Sequence, residues 1–165
     1  MPVILEIEPN FLSQIKKINV RGVVEFNTAS VVQAAYVRMF LVLDKQANGT
    51  APTKLSGAGQ GNLLQYDGVA TDIHAFRDLD NVERYTVLKE WHHNILAFQA
   101  GTNSFMKSQF LVNKSVTIPI EYDASASDGS LASIRSNNLL LMCGSDQTSG
   151  DIKMNGVIRV RYVDN

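Results

Sequence analysis

At 165 residues, with 45% hydrophobic and 19% charged side chains and a formal net charge of −1, the chain suits one domain, 1–165, that buries its core without disulfides or a structural metal. That balance excludes condensing a polyanion by bulk charge, and the single Cys143 excludes an intramolecular disulfide framework. No stretch approaches the roughly 20 apolar residues of a membrane-spanning helix, and no basic region followed by an apolar segment opens the chain, so a soluble protein without a membrane partner is expected.

Residues 1–14 form an N-terminal segment without Lys or Arg that carries Glu6 and Glu8. From Lys17 to Phe26 the pattern alternates, placing Ile18, Val20, Val24 and Phe26 on one face of a strand and Lys17, Asn19, Arg21 and Glu25 on the other. Asn27 to Ser30 breaks that strand. A second runs from Ala35 to Leu43, interrupted only by Arg38, so cover on both faces is expected. Residues 46–70 are rich in turn formers, with Asn48-Gly49, Pro52, Gly57, Gly59 and Gly61. A connection of this length in a compact domain is usually functional or mobile.

Beyond it, Asp80 and Glu83 fit a helix cap, and Tyr85, Leu88, His92 and Ile95 recur at helical spacing. The β-forming run Tyr85-Thr86-Val87 argues instead for a strand. The remaining strand candidates are 84–91, 115–122, 137–143 and 155–163, with weaker ones at 66–75, 93–99 and 107–112. Short strands separated by turns imply an all-β sandwich or barrel.

Catalytic chemistry leaves no trace. There is no Gly-Lys-Ser phosphate loop or nucleophile elbow, and Gly57, Gly59 and Gly61 do not open a helix after a strand. His92 and His93 would point to opposite faces of a strand and cannot readily share one ion. Asp72, Asp78 and Asp80 lack the spacing of a calcium loop. Cys143, within Leu139-Leu140-Leu141-Met142-Cys143, reads as a small core residue. No catalytic residue, metal or cofactor is assigned.

Three segments, in order, carry a resemblance. The run Val37-Arg38-Met39-Phe40-Leu41-Val42-Leu43-Asp44-Lys45-Gln46-Ala47-Asn48-Gly49-Thr50-Ala51-Pro52 joins an apolar strand to a sharp Asn-Gly turn. Asn81-Val82-Glu83-Arg84-Tyr85-Thr86-Val87-Leu88-Lys89 leads from a polar turn into a strand, and Gly156-Val157-Ile158-Arg159-Val160-Arg161-Tyr162-Val163-Asp164-Asn165 closes the chain. From about residue 15 onward the chain resembles the capsid proteins of small circular single-stranded DNA viruses that encode a replication initiator, such as circoviruses and geminiviruses. The resemblance implies a helical turn at 79–83 followed by a strand. It further implies a jelly-roll β-sandwich of two four-stranded antiparallel sheets, sixty copies of which close a T=1 icosahedral shell around single-stranded DNA. It places the protein in the virion, with assembly in the host nucleus.

The functional residues expected on this basis fall into two groups. A jelly roll sets its first and last strands side by side. If Ile18, Val20, Ile158, Val160 and Tyr162 then face the core, Lys17, Arg21, Arg159 and Arg161 share the opposite face, either as a nucleic-acid-binding patch or as cations that pair with acidic residues of an adjacent subunit or stay solvated. Asp44, Gln46, Asn48, Gly49 and Pro52 are expected at a subunit interface or in a surface loop. The basic N-terminal arm usual in such capsids is absent from residues 1–14, and its removal from the chain is the expectation. The rival reading is an oligomeric β-sandwich that binds carbohydrate, which would present exposed aromatics, with Trp91 the first candidate.

Overall fold

The computed structural model describes residues 3–4, 12–28, 32–47, 55, 62–66, 73–98, 104–122, 134–146 and 151–164. Eight strands follow in chain order: β1 (Val3–Ile4), β2 (Leu12–Thr28), β3 (Val32–Asp44), β4 (Tyr85–Phe98), β5 (Ser104–Tyr122), β6 (Ile134–Ser136), β7 (Asn138–Ser145) and β8 (Asp151–Asp164). They form two four-stranded sheets with the orders β1-β7-β3-β4 and β6-β5-β2-β8, and every pairing is antiparallel.

The alternation read in β2 sets its inner face. Ile15, Ile18, Val20, Val24 and Phe26 are fully buried and meet Val37, Met39, Leu41, Trp91 and Ile95 of the other sheet in one core. The all-β sandwich is therefore observed, as is the pairing of β2 with β8. Within the β2 row, Gly22 lies opposite Phe110 on β5 and Gly156 on β8. A Cβ at Gly22 would sit 2.6 Å from the Phe110 ring, so the ring occupies space that only glycine leaves open.

The strand β3 is covered on both faces, as its near-continuous apolar run implies. Its outward Phe40 and Val42 are fully buried under a second cluster that joins Leu140, Met142 and Tyr85 to Leu55, Leu63 and Leu64. The last three belong to the long connection between β3 and β4. At those positions the connection is a hydrophobic cover for the sheet, a role within the domain that the sequence did not disclose. Leu64 is fully buried, so Leu64→Ala should cost about 2–5 kcal/mol; chemical denaturation will show this as a lower midpoint at unchanged slope.

Several element boundaries differ from the sequence reading. The separate candidates at 84–91 and 93–99 are one strand, β4, which pairs with β3 from Tyr85 to Phe98 with one register shift at Leu88; helical spacing from Tyr85 to Ile95 gives way to that pairing. Likewise 107–112 and 115–122 are one strand, β5. Asn113, Lys114 and Ser115 pair with Asn19, Ile18 and Lys17 of β2, so the ladder runs across the gap between the two candidates. Of the weak candidate at 66–75, residues 67–72 lie outside the described residues, and Ile73 to Ala75 form a turn and bend. The expected helical turn is a 3₁₀ helix, Leu79–Asn81, and its N-cap is Asp78, not Asp80. Asp78 Oδ1 accepts from the Asp80 backbone N–H at 3.0 Å and Oδ2 from Asn81 Nδ2 at 2.7 Å.

Candidate nucleic-acid interface

Register decides which cations meet. Across the β2–β8 pair Lys17 lies opposite Arg161, Asn19 opposite Arg159 and Arg21 opposite Val157, while Ile18 and Val20 lie opposite Val160 and Ile158. Alternation then puts Lys17, Arg21, Arg159 and Arg161 together on the outer face of the sheet. Arg21, Arg159 and Arg161 are exposed and Lys17 is half-buried. Asn113 and Leu111 of β5 extend the Asn19 and Arg21 rows. A β-bulge at Lys16 interrupts both of β2's ladders between Ile15 and Lys17.

Two further cations share this face. Lys107 and Lys153 flank Glu25 in its row, and Lys107 Nζ lies 2.7 Å from Glu25 Oε1. Their even spacing from Leu111 and Arg159, four and six residues, was visible in the sequence, but the alignment of three separate strands was not. Two rows, Leu111–Arg21–Val157 and Gln109–Val23–Asn155, wall an open groove of about 600 Å³ whose lining includes Gly22 and Gly156.

Tyr162 departs from expectation. Ile158 and Val160 are partly buried against the core, whereas Tyr162 is 44% exposed. It pairs with Ile15 beyond the bulge, near the end of β8, which is the last strand of its sheet.

The second expected group separates. Asp44 is the final residue of β3 and only 1% exposed, so it is neither a loop residue nor at the surface. Its carboxylate accepts a fork from Arg84, Nε at 2.9 Å and Nη2 at 2.8 Å, and the Gln46 backbone N–H at 3.1 Å. The hydrogen bond to Asp44 pushes the Arg84 pKa up. Gln46 is exposed in the turn. Asn48, Gly49 and Pro52 lie outside the described residues, as does Asp72.

On the outer face of the other sheet, Glu90 gathers three partners. Its Oε1 lies 2.7 Å from Arg38 Nε and 3.1 Å from His92 Nε2, and its Oε2 lies 2.8 Å from Arg77 Nη2. Arg38 Nη1 also donates to the carbonyls of Ile73 at 2.9 Å and Ala75 at 2.7 Å, fastening the connection to the sheet. Tyr36 bonds His92 Nδ1 through its hydroxyl and stacks on His74. Burial alone would push the Glu90 pKa up, but Arg77 and Arg38 hold it below its ordinary 4.5. A depressed carboxyl adds stability that is complete above its unfolded pKa and is lost as pH falls through the folded value. Melting temperature should therefore fall more steeply in wild type than in Glu90→Gln as pH drops below about 4.5.

The two histidines diverge as adjacent strand residues must. His92 is exposed; His93 is 5% exposed, with Nδ1 bonded to Ser108 Oγ at 2.7 Å. Burial, then the neighbouring His92, pushes the His93 pKa down. Trp91 is 9% exposed, packs edge-on against Phe110 with centroids 5.8 Å apart, and donates Nε1–H to the Leu111 carbonyl at 3.4 Å. Cys143 is partly buried, and burial pushes its thiol pKa up. Among the described residues no group of three or more His, Cys, Asp or Glu could hold a metal ion, and no helix is long and apolar enough to cross a membrane. Neither a protein-family model nor a curated protein matches the sequence.

Proposed function

We propose that this chain is a capsid subunit of jelly-roll type that assembles into a small icosahedral shell, about sixty copies closing on single-stranded DNA. The observation that carries the reading is the basic outer face of β2 and β8. Lys17, Arg21, Arg159 and Arg161 stand together on it, and among the described residues none offers them a hydrogen bond or ion pair. A chain with a net charge of −1 that nevertheless collects cations on one sheet face has a built site for a polyanion. Phosphates would bind there through Arg and Lys, with Asn19 and Asn113 as neutral donors between them.

The jelly roll is supported by two four-stranded antiparallel sheets and by the adjacency of the first long strand, β2, to the last, β8. One pairing departs from that order. β2 is also flanked by β5, whereas a jelly roll leaves the outer edge of its first strand open. For the carbohydrate-binding alternative, Trp91 is packed in the core and cannot stack on a ligand, while Phe76 is 82% and Tyr66 42% exposed.

Electron microscopy of the purified protein tests the proposal. Shells of uniform diameter that carry nucleic acid are expected. Small oligomers at every concentration, in the presence and absence of single-stranded DNA, would overturn it.

A further inference from the structure

We infer that the groove at the centre of the basic face receives a nucleobase of a single-stranded nucleic acid, which makes this face a reader of bases as well as of phosphates. The inference rests on the proposed reading of the face. The groove lies between two outward rows of the β5-β2-β8 sheet, Leu111–Arg21–Val157 and Gln109–Val23–Asn155. Successive outward rows are roughly 7 Å apart along a strand, a gap that admits a flat ring. The volume of about 600 Å³ exceeds what one base requires and leaves room for its sugar.

The lining has the mixed chemistry of a base. Leu111 is 67% and Val157 57% exposed, two apolar side chains on a face that also carries Val23, Glu25, cations and amides. They offer contact to the apolar flat of a heterocycle. Arg21 lies between them in the same row, and a guanidinium plane stacks on a base while keeping its charge for the phosphate. Gln109 and Asn155, both exposed, carry an amide donor and acceptor each, which is what the polar edge of a base demands.

Charge complementarity selects the occupant. The Asn19–Arg159 and Lys17–Arg161 rows lie beyond one wall of the groove; beyond the other, Lys107 and Lys153 flank Glu25, which is ion-paired with Lys107. A strand running along β2 would meet Arg21 beside the base it seats and Arg159, Lys17 and Arg161 in the rows that follow. An uncharged ligand would use the groove and make no use of Lys17, Arg159 and Arg161 beside it.

The test compares a short oligothymidylate with a sugar–phosphate strand of the same length that lacks bases, by fluorescence anisotropy on the full chain over a range of salt. The base-bearing strand should bind roughly tenfold more tightly or better, with similar salt slopes for the two. The double variants Leu111→Ser/Val157→Ser and Gln109→Ala/Asn155→Ala, all at exposed positions, should each reduce that preference and keep the salt slope. Equal binding of both strands by wild type, or a preference that survives in both variants, overturns the groove as a base site while the basic face stands. Absence of salt-dependent binding to either strand overturns the groove and the basic-face reading together.

Discussion

Asp44→Ala should destabilise the protein by about 3–5 kcal/mol, the range found when one partner of a buried ion pair is removed. The carboxylate is 1% exposed and holds Arg84, whose side chain is 18% exposed, through two hydrogen bonds. Its loss strands a guanidinium that also lies 4.9 Å over the Tyr85 ring, and leaves the Gln46 backbone N–H without its acceptor. Both groups sit where β3 ends and β4 begins, so the damage falls on the start of the connection that covers the sheet. Total stability of a domain is about 5–15 kcal/mol, which makes this a large fraction. Asp44→Asn keeps an acceptor for Gln46 but loses the charge, and should fall between wild type and Asp44→Ala. Urea denaturation measures the series; coincident midpoints for all three proteins would show that the pair contributes nothing.

If the proposed capsid reading holds, the paired reversal Arg159→Glu/Arg161→Glu should strip most nucleic acid from purified particles while leaving the subunit folded. Both side chains are exposed, so the fold has little stake in them. Each lost phosphate contact lowers the salt slope by about 0.7 for a single strand, so the pair should lower it by about 1.4, with added glutamates repelling the backbone further. The ratio of absorbance at 260 and 280 nm and the salt dependence of oligonucleotide binding read the two effects. Particles with wild-type nucleic-acid content would assign these arginines to contacts between subunits or to solvent.

The inner face of β2 was legible because strand periodicity is local: Ile18, Val20, Val24 and Phe26 announce their common side without reference to any partner. The double cover of β3 was legible for a similar reason, since a run from Val37 to Leu43 broken only by Arg38 leaves no polar face for water. Arg38 itself was less so. Its burial depends on Glu90 and on carbonyls of Ile73 and Ala75, each more than thirty residues away. The opposed faces of His92 and His93 follow from adjacency alone once the segment is a strand, but the choice between strand and helix there was made by pairing with β3.

The candidate site divides along the same line. Alternation marks Lys17 and Arg21, or Arg159 and Arg161, as co-facial within one strand, and so much belongs to the sequence itself. Bringing the two pairs together required β8 to lie beside β2 in a particular register, and a slip of one residue would have turned Arg159 and Arg161 inward. The resemblance supplied the adjacency; the ladder from Lys17–Arg161 to Glu25–Lys153 supplies the register. Asp44 shows the opposite case, in which local context misleads. Beside Asn48-Gly49 a carboxylate reads as a turn residue, yet Arg84, forty residues on, closes over it.

By itself, then, the order of residues determined the strand faces, the doubly apolar β3 and the co-facial cations within each strand, because these depend on geometry repeated every two residues. Only the tertiary structure decided that Leu55, Leu63 and Leu64 roof the outer side of β3, that Asp44 is buried with Arg84, and that three strands bound a groove around Gly22 and Gly156. Those outcomes rest on contacts between residues distant in the chain, where the free energy of burying one surface depends on which other surface arrives to cover it.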